Sequence, residues 1–406
     1  MSWLTDRGWV KPDRGGLCFD GLPGLVERAL TGEGAVGPLA AAHPLLDGRV
    51  DHVLLVYFDA FGGPLPERHS AHPLLARAAH DGVSATITSQ FPSTTGAHVT
   101  TIHSGLPMQE HGVYEWFVLE PSLDRIIAPL LFSFAGADRR GTLDGLLETS
   151  AVYPSETIYH RLGAAGVPSY AAQSSAFALL PPNDMLLAGS TVLAFDDPAD
   201  GLRRAAAALS LAPSGYSFAY LDAVDAFMHH NGPTGSELDL LVRRHLDAVE
   251  AVLPSLPPGT LVVLTADHGM SPVSPQRTMY VNELVPELSS LLRTGADGKP
   301  LAPAGSCRDL FLHARPGMTH EVVGRLREAV GDRAEVRPTA ELVADGLFGA
   351  EPSQQLLDRL ADVVVLPALG EAVFWHEPGR FEQHLSGQHG GLTPDEALIP
   401  LVALVT

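Results

Sequence analysis

The 406-residue chain carries 26 Lys and Arg against 47 Asp and Glu, a formal net charge of −21, and is 45% apolar and 18% charged. That balance describes a globular chain long enough to bury a large core, and it excludes a surface built to coat nucleic acid, which is basic. No apolar run reaches the roughly 18 to 20 residues that cross a bilayer. The opening "MSWLTDRGWVKPDRGG" has no apolar secretion core, so the expectation is a cytoplasmic protein without a membrane partner. Cys18 and Cys307 lie far apart and form no metal-spaced pair; two buried thiols are expected.

Residues 1–48 read as a lead-in with one helix, near Leu22 to Leu30. "HVLLVYF", 52–58, is a continuous apolar run of the kind buried on both faces of a parallel sheet. A helix over 70–81, the strand "VSATITS" and a helix over 95–104 follow. "YEWFVLEPSLDRIIAPLLFSF" is an aromatic-rich stretch expected near the site as a lid or wall, and "SETIYHRLGAAGVPSYAAQ" reads as helix, glycine stop and strand. A helix at 199–209 precedes the strand "YSFAYLDAVD", and a helix at 236–253 leads to "GTLVVLTADHG".

This alternation predicts an α/β fold with a mostly parallel central sheet flanked by helices. From 286 the texture shifts to "RDLFLHARPG", "HEVVGRLREAVG" and "AEVRPTAELVADGLF", a small inserted α+β subdomain. The expected organisation is a catalytic core over 1–285, an insertion over 286–360, and a core resumed over 361–406 from "ADVVVLPALG" to "ALIPLVALV".

Three core strands end in an acidic residue: Asp59 after "VLLVYF", Asp225 after "FAYLDAV", and Asp267 after "LVVLTA" with His268 beside it. Ligands collect at the carboxyl ends of strands in open α/β sheets. An isolated strand-end Asp is usually a turn or cap, but three at matching positions point to one site. Asp225 and His229 are four apart, so one helical turn can aim both at a single ion; neighbouring His230 would point elsewhere. His389 precedes two glycines in "GQHGGLTPDE", where the backbone can approach closely. Carboxylate and imidazole donors suit zinc, or zinc with a harder divalent ion such as manganese. Three Asp against two divalent ions leave a net positive pocket for a phosphate ester, and one hydroxyl of "PSTTGAH" at a helix start would be the nucleophile. The bland alternative is a helix cap by Ser93 or Thr94.

The ordered set "YFDAFG", "FPSTTGAH", "SGLP", "EHGV", "YLDAVDAFMHHNGP", "TADHGM" and "GQHGGLTPDEALIPL" resembles the alkaline phosphatase superfamily, most closely its nucleotide pyrophosphatase/phosphodiesterase branch, over most of residues 50–285 and 360–405. The resemblance implies two divalent metal ions, one held by Asp59, Thr95, Asp267 and His268 and the other by Asp225, His229 and His389. It implies Thr95 as nucleophile, with Thr94 the alternative, in-line attack on phosphorus and a phosphothreonine intermediate. It also implies a phosphate-binding Asn three residues after the nucleophile, a position occupied here by His98.

The motif segments contain no Arg or Lys to clamp a monoester dianion, which favours diesters or pyrophosphates. Phe61, Tyr114, Trp116 and Phe227 lie beside the motifs and are candidates to stack on a base or aryl leaving group, against the plainer reading as core or wall residues. A phosphomonoesterase or a phosphonate hydrolase would use nearly the same ligands. A non-catalytic metal-binding scaffold would be marked by a lost ligand or nucleophile, and all seven positions are filled.

Overall fold

The computed structural model describes residues 2–33 and 37–406. Seven strands form the central sheet: β1 (His52–Phe58), β2 (Val83–Thr88), β3 (Ser169–Ser174), β4 (Thr191–Phe195), β5 (Gly215–Leu221), β6 (Leu261–Thr265) and β7 (Leu398–Val405). Their spatial order is β2-β7-β6-β1-β5-β3-β4. β1, β5 and β6 are buried at every position, as their unbroken apolar runs require. β1 runs parallel to both neighbours, with Leu55 opposite Phe218 on one side and Val263 on the other. β3 is parallel to β4 and β5.

Only β7 runs against the rest, antiparallel to β2 and β6. The reason lies in the segment before it. Residues 387–397 sit at the carboxyl edge of the parallel strands, so a chain entering the sheet from there can only run back down it.

Both faces of the sheet are covered, and consecutive residues of β1 show how. Tyr57 meets Phe19 edge-on at 5.8 Å on the face that also packs α1 (Leu22–Thr31) and α3 (Thr95–Ser104). Phe58 stacks at 5.4 Å on His245 of α6 (Ser236–Val252), beside α2 (Pro73–Asp81) and α4 (Pro198–Leu209). Cys18 and Cys307 are free and buried. Among the described residues, no helix is long and apolar enough to cross a membrane.

The aromatic-rich stretch forms a three-stranded antiparallel sheet, Val118–Glu120, Arg125–Ala128 and Ser133–Phe134, standing as a wall over the carboxyl edge. A second antiparallel sheet orders Ala304–Gly305, Leu310–Leu312, Val363–Pro367 and Ala334–Pro338, with helix Thr319–Val330 packed on it. Here the sequence expectation needs correction. "VVVLP" does not resume the core; Val363–Pro367 pairs antiparallel with strands on either side in the second sheet. A fully buried strand reads the same whichever sheet receives it, because its pairing partner is not written in its own residues. The core sheet resumes only at Leu398.

Candidate active site

Asp59 directly follows β1, Asp267 and His268 follow β6, and Asp225 lies in the first turn of α5 (Ala223–Asn231) after β5. Because β6, β1 and β5 are consecutive in the sheet, these three acids are brought together at its carboxyl edge. His229, one turn along α5, places Nε2 3.4 Å from Asp225 Oδ1. His389 arrives from the segment before β7, with Nε2 3.9 Å from the same Asp225 oxygen. His268 Nε2 lies 3.5 Å from Asp59 Oδ1 and 3.3 Å from Asp267 Oδ2, and its ring stacks on His389 at 3.5 Å. The six carboxylate and imidazole residues singled out from the sequence therefore converge.

Five of these six side chains are oriented by a second contact that leaves one donor atom facing the centre. The Nδ1 atoms of His229, His268 and His389 bond the carbonyls of Gly387 (2.8 Å), Gly269 (2.8 Å) and Ser93 (3.0 Å), leaving Nε2 with its lone pair. Asp267 Oδ1 accepts from the Ala60 and His268 amides at 3.1 and 3.0 Å. Tyr220 donates its hydroxyl to Asp59 Oδ2. What remains is Asp59 Oδ1, Asp225 Oδ1 and Asp267 Oδ2, three buried carboxylate oxygens without a hydrogen-bond partner. The donor atoms of Asp225, His229 and His389 lie within 4.8 Å of one another, as do those of Asp59, Asp225 and His268. Asp225 thus stands between the two groups.

Burial disfavours charge on all of these groups. It pushes the Asp59 carboxyl well above the carboxylate range, with Asp267 and Asp225 adding repulsion. It raises Asp267 and takes Asp225 up to about 6. It holds His268 and His389 well below the usual imidazole value, so both are neutral lone-pair donors. Unpartnered carboxyl oxygens beside neutral imidazoles form a donor set that fits divalent cations of the zinc or manganese type.

Thr95 opens α3 and sets Oγ1 3.2 Å from His268 Nε2. The helix-cap alternative is not what the structure contains. Thr94 sits at the cap position with no side-chain cap bond, and Ser93 Oγ donates to the Gly391 carbonyl at 2.8 Å. The loops after β1 and β6 meet backbone to backbone through glycine. A Cβ at Gly62 would fall 2.5 Å from the His268 carbonyl oxygen, and one at Gly269 would fall 2.1 Å from that of Asp395. Only residues without a side chain permit that approach.

These groups line a cavity of about 840 Å³. Of the residues proposed to contact substrate, only Trp116 borders it, 38% exposed. His98 is corrected to a structural role: it is fully buried, with Nε2 bonded to the Ser89 hydroxyl and the Gln90 amide (both 2.9 Å) and Nδ1 to the Thr94 carbonyl (2.7 Å). Phe61 stacks on Phe58 at 4.6 Å inside the core, and Tyr114 packs edge-on against Phe311 and donates to the Arg359 carbonyl. Phe227 packs against the core rather than the cavity. His230, read as pointing away, is a lining residue.

The aromatics that do line the cavity include Phe117, Phe177, Phe374 and Phe381, supplied by three separate segments. Arg140 and Arg380 also border it, although no motif contains them. Glu115, next to Trp116, was likewise missed. None of these carries a spacing signal, because their relation to the site exists only once the wall and the second sheet have folded over the sheet edge.

A family model described as Type I phosphodiesterase / nucleotide pyrophosphatase matches residues 53–392. Among solved structures, murine ectonucleotide pyrophosphatase / phosphodiesterase 5, determined alone and as an inactive variant with AMP, is similar at a TM-score of 0.64 and 17% identity, over 86% of this chain and 87% of that one. The human counterpart gives a TM-score of 0.62 at 17% identity, over 86% and 87% of the two chains. These are likenesses of fold. Phosphopentomutases of Anaeromyxobacter sp. (strain K) and Anaeromyxobacter dehalogenans (strain 2CP-1 / ATCC BAA-258) are 42% identical over 92 residues, 22% of this chain and 23% of theirs. The chain thus matches under a quarter of the length of these curated relatives.

Proposed function

Because the chain belongs to the type I phosphodiesterase / nucleotide pyrophosphatase family, we propose that it hydrolyses a small phosphodiester or pyrophosphate, with Thr95 as the nucleophile. Membership makes it a phosphoester hydrolase; the kind of ester and the covalent step are our reading. The observation that carries it is the placement of Thr95 Oγ1 3.2 Å from His268 Nε2, at the edge of a cluster of orphaned carboxylate oxygens and neutral imidazoles.

Two divalent ions, held by Asp59, Asp267 and His268 and by Asp225, His229 and His389, would supply Lewis-acid charge around the phosphoryl group. The chain's own residues do the rest. Thr95 Oγ forms the new bond to phosphorus while the bond to the leaving oxygen breaks on the opposite side, producing phosphothreonine. Water then cleaves that ester and restores the hydroxyl. The start of α3, uncapped by any side chain, turns its amides toward negative charge on the phosphoryl oxygens. Trp116, Phe117, Phe177 and Phe381 offer apolar faces for a flat leaving group, and a nucleotide is the kind of substrate in keeping with the AMP complex of the murine neighbour.

The test is Thr95→Ala in zinc- and manganese-loaded protein. Turnover of bis-p-nitrophenyl phosphate and of nucleotide diesters should vanish, while bound metal and melting temperature stay near those of the parent. Parent-like turnover in that variant would transfer the attack to Thr94 or water and end the covalent reading.

A further inference from the structure

Two buried amide side chains meet at the cavity wall, and only half of their hydrogen-bonding capacity is used. Gln173 lies near the end of β3 and Asn183 opens the short helix Asn183–Leu186; both border the cavity, at 2% and 8% exposure. Asn183 Nδ2 donates to the Phe177 carbonyl at 2.8 Å and to Gln173 Oε1 at 3.0 Å. A backbone carbonyl can only accept, so the first bond fixes which end of the Asn183 amide is nitrogen. The second then fixes Gln173, whose oxygen must face that nitrogen. Both Asn183 amide hydrogens are thereby spent. Gln173 Nε2, with two hydrogens, and Asn183 Oδ1, with its lone pairs, bond no described group. Neither atom is among the unpartnered atoms sealed inside the fold, so each keeps an open side, and the cavity is what these side chains border.

The pair sits where the flat part of a substrate would reach. β3 is next to β5 and β5 is next to β1, so the strand of Gln173 lies two places from the one that delivers Asp59. At the usual strand spacing that is roughly 10 Å, room for a sugar between a phosphoryl group and a base. The same network holds an aromatic face. Phe177, bonded through its carbonyl to Asn183, also lines the cavity, and its ring lies 6.0 Å from that of Tyr220. Tyr220 is the residue that donates to Asp59. A donor beside an acceptor, next to an aromatic ring, suits the edge and face of a planar heterocycle. Nucleobases present such an edge, an acceptor beside an N–H, whereas a nitrophenyl ring presents acceptors alone.

We propose that Gln173 and Asn183 are specificity-determining residues that read a nucleobase: Gln173 Nε2 donates to an acceptor of the base, and Asn183 Oδ1 accepts the neighbouring N–H. The assignment rests on the phosphoesterase reading above and adds what the ester carries. A substrate without such an edge leaves the donor and the acceptor unpaired once the cavity is filled, and that cost is the source of discrimination.

The test compares thymidine 5′-p-nitrophenyl phosphate with methyl p-nitrophenyl phosphate in metal-loaded protein. The two share the nitrophenyl group, and only the first carries a base. The ratio of their kcat/KM values should favour the nucleoside ester in the parent by at least about 10-fold. Gln173→Met keeps length without a donor, and Gln173→Glu keeps the oxygen that Asn183 needs; each should lower that ratio by about 10-fold. Turnover of the methyl ester should stay within about 3-fold of the parent, a separation that a merely structural role would not produce. If Gln173→Met melts well below the parent, Gln173→Glu alone is read. An N3-methylthymidine ester, which lacks the N–H for Asn183 Oδ1, should also fall by about 10-fold in the parent. The inference is overturned by a parent without preference for the nucleoside ester, by a variant ratio within about 3-fold of the parent's, by equal loss on both esters, or by full turnover of the N3-methyl ester. If any of these comes with methyl-ester turnover that Thr95→Ala abolishes, the phosphoesterase reading stands alone; a parent without turnover on any ester removes both.

Discussion

The side chains of the site are legible one at a time as local chemistry, and their protonation sets how the protein should respond to metal and pH. Asp59, Asp225 and Asp267 hold protons in the metal-free fold that the unfolded chain would release, because burial raises all three. A raised folded pKa contributes stability below the unfolded value that is lost as pH rises, for Asp225 between about 4 and about 6. His268 and His389 have depressed folded values, so they withdraw stability as pH falls below about 6.5. A divalent ion offsets the carboxylate repulsion, and binds most strongly when the carboxyls and imidazoles carry no protons. The melting-temperature gap between zinc-loaded and chelator-treated protein should therefore widen from pH 5 to pH 7.5. Excess zinc at 100-fold above its dissociation constant would add about 2.7 kcal/mol at the upper pH. A gap of the same size at both pH values would contradict the ligand set.

Among elements, the joining of strand ends matters more than the strands themselves. The loops after β1 and β6 touch through Gly62, Gly63 and Gly269, where an added Cβ meets backbone atoms that cannot swing aside. Gly269→Ala would force its Cβ to 2.1 Å from the Asp395 carbonyl oxygen and displace the adjoining His268. A shift of about 1 Å at that ligand should reduce kcat/KM by about 100-fold, with helix and strand content unchanged by circular dichroism. Gly324 is the contrasting case: it is exposed in helix Thr319–Val330 and an added Cβ meets nothing within 4 Å. Gly324→Ala should raise stability by about 0.5 to 1 kcal/mol in urea unfolding and leave turnover unchanged.

At the scale of the whole molecule, one buried ion pair ties the second sheet to the catalytic core. Arg308 donates from Nε and Nη2 to the two Glu396 oxygens at 2.9 and 2.8 Å, both side chains fully buried, and from Nη1 to the Ala368 carbonyl at 2.8 Å. Glu396 also accepts the Gly391 amide (3.0 Å) and the Thr393 hydroxyl (2.6 Å), which folds the loop carrying His389. Glu396→Ala leaves the Arg308 charge buried and uncompensated and should cost about 3 to 5 kcal/mol. Replacing both partners, with Arg308→Met and Glu396→Leu together, should cost less than the single change when unfolding is followed in urea. A single variant as stable as the parent would show that the two parts do not depend on this contact.

The sequence by itself determined most strands of the core and which carboxylates and imidazoles meet at its carboxyl edge. Unbroken apolar runs such as "HVLLVYF" have one way to be buried, and Asp225 with His229, or Asp267 with His268, are held together by local spacing. Only the tertiary structure decided that Val363–Pro367 belongs to the second sheet and that His98 turns inward while Trp116 faces the cavity. Each of these depends on which surface a side chain presents to a distant segment. That is set by pairing and packing across the chain, and it leaves no period or spacing among the residues themselves.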